Sequence, residues 1–254
     1  MGAKPRLIYD NLWRKGTALA SSPIANPQHP VSDTQIDTLS MFFRASAITS
    51  PCTIPMNLLS EKEVNFVAIL GHNIDSDATI TLEGDAVSTF DSGAFVSRTL
   101  AYNATNIFQF FTAFTKKYVQ IKLVSGNGDF SAMPQIATIL CGSYSEFNRR
   151  PVKGHTPGRD DITEVEETDA RVIFAQEKTI LNVDRYMFAG LDNTTKDMIL
   201  AFLKECGIHK AFVWCTDYIV ANANSFWVRN SELISPVFQS PNFWNWEITM
   251  KEIV

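Results

Sequence analysis

Val64-Asn-Phe-Val-Ala-Ile-Leu70, Gly71-His-Asn-Ile-Asp-Ser-Asp77 and Ala78-Thr-Ile-Thr-Leu-Glu83 follow one another without a break. The first segment is a short apolar run of strand length. The second is dense in turn formers, and the third alternates apolar and polar residues with period two. Run, turn and alternating run predict a hairpin. The pattern recurs downstream. Tyr118-Val-Gln-Ile-Lys-Leu-Val124 alternates, Ser125-Gly-Asn-Gly-Asp129 interrupts it, and Gln135-Ile-Ala-Thr-Ile-Leu-Cys141 resumes. Arg6–Tyr9 and Asp37–Arg44 are further strand candidates. Many short strands separated by Gly, Asn, Asp and Pro predict a β-sandwich over residues 1–147. The irregular stretch Ser21–Ser32, with Pro23, Pro27 and Pro30, suits the end of such a sandwich.

Residues 148–170 change character. They are polar, turn-rich and charged, starting basic at Arg149 and Arg150 and ending acidic at Glu164, Glu166 and Glu167. The composition suits a linker or an arm laid on a neighbouring subunit, with Glu164 onward able to pair as an edge strand. Residues 171–254 then carry a helix over about 194–206. Asn193 or Thr194 suits its N-cap, Met198, Ile199, Phe202, Leu203 and Cys206 form an apolar stripe, and Gly207 stands where a chain leaving a helix favours glycine. Strands Arg171–Phe174, Ala211–Trp214 and Ser225–Arg229 flank it. Asn245–Val254 closes with clean alternation, Trp246, Ile248 and Met250 on one face and Glu247, Thr249 and Lys251 on the other. The fold class is therefore mainly β: an N-terminal β-sandwich followed by a small α+β sandwich with one helix.

Composition bounds the function. The 254 residues are 45% apolar and 19% charged, which excludes wholesale disorder. Lys and Arg number 22 against 27 Asp and Glu, a net charge of −5, whereas phosphate neutralisation calls for a basic excess. Direct nucleic-acid binding is not expected. Membrane insertion is not expected either, because stretches such as Phe66–Leu70 and Phe108–Phe114 fall well short of the roughly 18–20 apolar residues a span needs. No apolar run follows Met1-Gly2-Ala3-Lys4-Pro5-Arg6, so no secretory leader is expected. Cys52, Cys141, Cys206 and Cys215 include no C-x-x-C pair and read as reduced, buried small hydrophobes. With 18 Phe against 6 Tyr and 5 Trp, most rings lack a polar handle and are expected inside a core or a subunit interface.

Chemical motifs are few. G-x-S-x-G, H-E-x-x-H and the phosphate-cradling glycine motifs are all missing, and His29, His72, His155 and His209 are scattered. Gly126-Asn-Gly128 reads as a turn. Asp75 and Asp77 have the chemistry of a calcium loop, but a two-Asp turn explains them as well. Glu61, Glu63, Asp85 and Asp91 would be the acids for glycoside hydrolysis, against the plainer reading of scattered surface carboxylates. Phe238, Phe243, Trp244 and Trp246 form an aromatic cluster that could stack on sugar rings, or pack within a core or between subunits. No catalytic residue, metal ligand or cofactor is expected.

Ile8-Tyr-Asp-Asn-Leu-Trp13, Phe66–Ile74, Ala78–Leu82, Tyr118–Lys122 and Ile136–Gly142 together resemble the galactose-binding-like (discoidin-type) jelly roll of some tailed-bacteriophage virion proteins. The strand, glycine-terminated helix, Ala211–Trp214, Phe226–Arg229 and final strand near Glu252-Ile-Val254 resemble the tail-tube-like domain of siphophage distal tail and minor tail proteins. One departure stands out: familiar distal tail proteins place the tube-type domain first, and here the order is reversed. The resemblance implies a non-enzymatic structural protein of a tail tip or baseplate. Its expected partners are copies of itself in a ring and other tail proteins, and its expected location is the virion, after synthesis in the host cytoplasm. The alternative is a carbohydrate-binding module that recognises a host surface glycan, since a jelly roll often takes sugars at its loop end.

Overall fold

The computed structural model describes residues 4–93, 95–152, 156–161, 164–167, 173–176 and 180–253, the strands between 156 and 182 by their backbone alone. The chain is mainly β and divides into two compact units. One comprises residues 10–145 and 217–225; the other comprises 1–9, 146–216 and 226–254. The composition break at 148–170 and the contact-defined units follow different residues.

The first unit is a sandwich built on two very long strands, Cys52–His72 and Asn106–Val124. They pair antiparallel, and the register slips between Asn57 and Lys62 and again between Val64 and Phe66. At the first slip Leu59 takes φ 70°, and its N–H donates to Asn57 Oδ1 at 2.8 Å. Bulges of this kind bend a strand pair. The ladder thus crosses from one layer to the other. Before the bend, Cys52–Asn57 faces Tyr118–Leu123, which also pairs with Thr79–Asp85, and that strand pairs with Val96–Leu100. After it, Phe66–His72 lies between Asn106–Phe110 and Gln135–Gly142, and Phe43–Arg44 pairs with the latter. Ile54, Ile80, Leu82 and Ile121 from the first half share one core with Val67, Ile69, Ile107 and Ile139 from the second.

This layout corrects the expected hairpin. Val64–Leu70 and Ala78–Glu83 do not pair with each other, because each takes its partners from a different half of the Asn106–Val124 strand. The turn-rich segment His72–Asp77 is a crossing between layers. Tyr118–Val124 and Gln135–Cys141 are likewise unpaired with each other. Period-two alternation tells which face of a strand is buried but is silent on which strand lies beside it. Of the Asp37–Arg44 candidate, only Phe43–Arg44 is strand.

Asn11 ties a short helix, Leu12–Lys15, to this core. Its Oδ1 accepts from the N–H groups of Trp13, Arg14 and Cys141, and its Nδ2 donates to the Ile139 carbonyl at 3.2 Å. Trp13 is fully buried, and its indole donates to Thr34 Oγ1 at 2.9 Å. All four cysteines are buried, as expected, and none is bridged to another. Burial raises the thiol pKa of Cys52 and of Cys141 to about 12.

The second unit is an antiparallel sheet with a helix against it. Ile180–Leu191 and Phe243–Glu252 pair along most of their lengths, Ser225–Asn230 pairs with the latter, and Arg6–Ile8 pairs with Phe212–Cys215. Thr156–Asp161 pairs with Ile180–Arg185, and Glu164–Glu167 pairs with Ile173–Gln176. The helix runs Asn193–Cys206. Its cap is Asp192 rather than Asn193 or Thr194: the carboxylate accepts from the Thr195 N–H at 2.7 Å. That bond, the largest influence on the group, helps to hold the Asp192 pKa below the usual carboxylate value. Ile199, Phe202 and Cys206 are buried, and Met198 and Leu203 pack at the edge of the same core. Gly207, at φ 58°, ends the helix as expected. Two further α-helices, Leu12–Lys15 and Ala221–Asn224, are four residues each and belong to the first unit. The predicted alternation of the last strand holds, with Trp246, Ile248 and Met250 at most 3% exposed. No described helix is long and apolar enough to cross a membrane.

Candidate functional site

The structure separates the four rings of the C-terminal aromatic cluster. Alternation along Phe243–Glu252 puts Trp244 and Trp246 on one face and Phe243 on the other. Trp246 belongs to the core: it stacks near Phe147 (5.9 Å, 11°) and Phe188 (6.0 Å, 26°), and its indole N–H donates to the Ile234 carbonyl at 2.7 Å. Trp244 is half-buried at the edge of that core. Phe238, on the short strand Val237–Ser240, sits opposite Trp244 and remains 59% exposed. The two rings meet edge to face at 5.5 Å and 78°.

Polar groups gather around this pair. The Trp244 indole donates to Asn193 Oδ1 at 2.9 Å, and Asn193 Nδ2 donates to Asn242 Oδ1 at 3.1 Å. Asn242 adopts φ 66°, a conformation Asn tolerates better than most residues. Lys196 places its ammonium 5.1 Å from the centre of the Trp244 ring and 2.7 Å from the Asp197 carboxylate. One face of Trp244 is thus taken by Lys196, and Phe238 is the ring left open to solvent. The result is an apolar ring backed by a second ring, with two amides, one ammonium and one carboxylate close by. Such a surface can stack an apolar face and hydrogen-bond a polar rim.

The cluster was visible in the sequence; its polar surround was not. Asn193 read there only as a possible cap, and Lys196 and Asn242 carried no signal. They lie on a helix and a turn that meet the last strand only in three dimensions.

The other candidates are occupied structurally. Asp75 accepts from the N–H of Ser131 at 2.8 Å and from its hydroxyl, and Asp77 accepts from Asn127 Nδ2 at 2.6 Å. Both pin the 125–134 loop. A side chain at Gly126 would meet Asp77 at 2.8 Å, so the glycine turn is dictated by close approach. Asp85 is fully buried and accepts from the N–H groups of Ala86 (2.6 Å) and Ser92 (3.0 Å) and from the Ser92 hydroxyl. Burial raises its pKa, and the Ser92 and Ala86 bonds outweigh that and leave it below the usual value. Asp91 accepts from Thr89 at 2.6 Å, Glu63 holds Ser143, and Glu61 is exposed. Glu83, which carries no local mark of burial, is buried, pairs with Lys122 at 3.4 Å and accepts from Gln120. His29 stacks on Phe42 at 4.3 Å, and His72 meets Tyr102 edge on at 6.1 Å. His155 lies outside the described residues. Among the described residues, no group of three or more His, Cys, Asp or Glu stands ready to hold a metal ion.

No family model matches the sequence, and no curated protein matches it significantly. Solved structures do match. Chitosan-binding module 1 of a chitosanase/glucanase from Paenibacillus sp. IK-5 is 21% identical at a TM-score of 0.40, covering 52% of this chain and 98% of that one. Module 2 of the same enzyme, in complex with chitotriose, is 16% identical at 0.42, covering 52% and 100%. The family 32 carbohydrate-binding module of Clostridium perfringens NanJ, in complex with galactose, is 17% identical at 0.41, covering 56% and 99%. These neighbours are carbohydrate-binding modules, and each spans about half of this chain. The expected likeness to phage tail proteins has no counterpart among them.

Proposed function

We propose that the chain is a non-catalytic carbohydrate-binding protein and that Phe238 is the ring on which a sugar stacks. The observation that carries this reading is the open Phe238 ring, held edge on by Trp244 and bordered by the amides of Asn193 and Asn242 and the ammonium of Lys196. A pyranose has an apolar C–H face and a belt of hydroxyls. The ring takes the face, and the amides and charges take hydroxyls as donors and acceptors. The carboxylates proposed for hydrolysis are committed to holding loops or remain exposed, which supports binding without cleavage. A glycan array probed with the full chain tests this. Binding to a defined set of saccharides, lost in Phe238→Ala, is expected; silence across bacterial surface polysaccharides overturns it.

A second reading, a structural protein of a phage tail tip that assembles with copies of itself and other tail proteins, draws on a different observation. Leu233, Val237, Phe238 and Phe243 are 56%, 63%, 59% and 44% exposed, large apolar side chains on more than one face that protein partners would cover. That reading places the chain in a virion and predicts rings in electron micrographs of the purified chain. A strictly monomeric protein that never enters a particle counts against it.

A further inference from the structure

We infer that Lys62 and Lys116, at the bend of the sandwich, form a binding site for a small oxyanion: a carboxylate, sulfate or phosphate group. The two lysines are directly opposite in the register of the long strand pair. Opposed residues of an antiparallel pair project onto the same face with Cβ atoms about 4.5–5.5 Å apart, and like charges so placed repel. Two positions along on that same face, Val64 opposes Phe114, and both are buried in the sandwich core. The lysine pair therefore follows the apolar wall where it ends.

A Cβ on Gly84 would lie 3.2 Å from Lys116 Cγ and 2.6 Å from Phe114 Cε2, so the lysine stem lies against the bare backbone of Gly84. A larger residue at position 84 would push it away. Among the described residues neither ammonium has an ion-pair partner. The nearby acids are engaged: Glu63, opposite Thr115, binds Ser143; Glu83 binds Lys122 and Gln120; Asp85 binds Ser92 and Ala86. Glu61 is exposed. An oxyanion between the two lysines would replace repulsion with charge-assisted hydrogen bonds to both. The site belongs to the first unit and Phe238 to the second, and the proposal does not rest on the carbohydrate reading.

The test is a titration of the full chain, followed by backbone amide signals, with inorganic sulfate, glucuronate and uncharged glucose as probes. Sulfate, glucuronate or both should shift the signals around residues 62 and 116, and glucose should not; which oxyanion binds tighter identifies the class. Lys62→Gln and Lys116→Gln should each weaken binding about tenfold, the worth of one hydrogen bond to a charged group. Without anion, each variant should be no less stable than wild type, because a repulsion has been removed. Lys117→Gln is the control: it makes the same change in net charge, but its ammonium lies 5.2 Å from the Tyr118 ring centre, and its neighbour position projects to the other face. Equal weakening by Lys117→Gln, equal shifts with glucose, or no shift with either oxyanion overturns the site.

Discussion

At the residue scale, single polar side chains fix the path of the sandwich loops. Asn11 satisfies three N–H donors and one carbonyl from two different segments. Asn11→Ala leaves several of these groups buried without partners, and a loss of about 3 kcal/mol is expected in a urea melt. Asp85 does the same for the 86–92 loop. Its folded pKa is depressed, so its stabilising contribution is complete above the ordinary carboxylate value of about 4 and is lost as pH falls below that through the depressed folded value. Urea midpoints measured from pH 7 down to 2 should therefore drop more steeply for wild type than for Asp85→Asn below about pH 4. Parallel curves would show that the carboxylate charge is not what holds the loop. Sequence alone marked Asp85 as an acid but not as buried, because its partner Ser92 is reached only once the loop closes.

At the element scale, local signals proved most legible where the element satisfies itself. The helix was readable from its stripe and its terminal glycine because both depend on spacing within one segment. Its cap slipped by one residue, since Asp, Asn and Thr all serve and only geometry selects Asp192. Asp192→Ala should cost about 1 kcal/mol, read as a lower urea midpoint. Strand pairing was far less legible. Val64–Leu70 and Ala78–Glu83 announce themselves as strands, yet the chain carries the second across the core to the other layer. The bend at Leu59 that makes this possible has no strong local signature: Leu is a poor candidate for φ 70°, and it is held there by Asn57. The alternation of the final strand was read correctly, because one of its faces is buried and the other is not, although the strand runs Phe243–Glu252 rather than from Asn245.

At the scale of the whole molecule, two cores divide the aromatic load. The sandwich core is mostly aliphatic, whereas the second unit concentrates Phe147, Phe188, Phe202, Phe212, Trp214 and Trp246. Phe147 and Leu7 join that second core from far along the chain, which no local reading of residues 1–147 suggests. Trp246→Ala should cost about 3–5 kcal/mol and broaden or abolish cooperative unfolding of the second unit. Phe238→Ala removes a largely exposed ring, so it should leave the unfolding midpoint nearly unchanged while removing the binding surface. This contrast separates a ring that builds the fold from a ring that waits for a ligand, and the aromatic spacing in the sequence does not distinguish the two.

Calorimetric titration of the saccharide that scores highest on the array into three forms of the full chain, wild type, Phe238→Ala and Phe243→Ala, isolates the ring that holds the sugar. Phe243 is also exposed but faces the opposite side of the last strand. Phe243→Ala should bind as wild type does and Phe238→Ala should lose about tenfold in affinity, the scale of one stacked aromatic contact. Equal affinity in Phe238→Ala and wild type would contradict this.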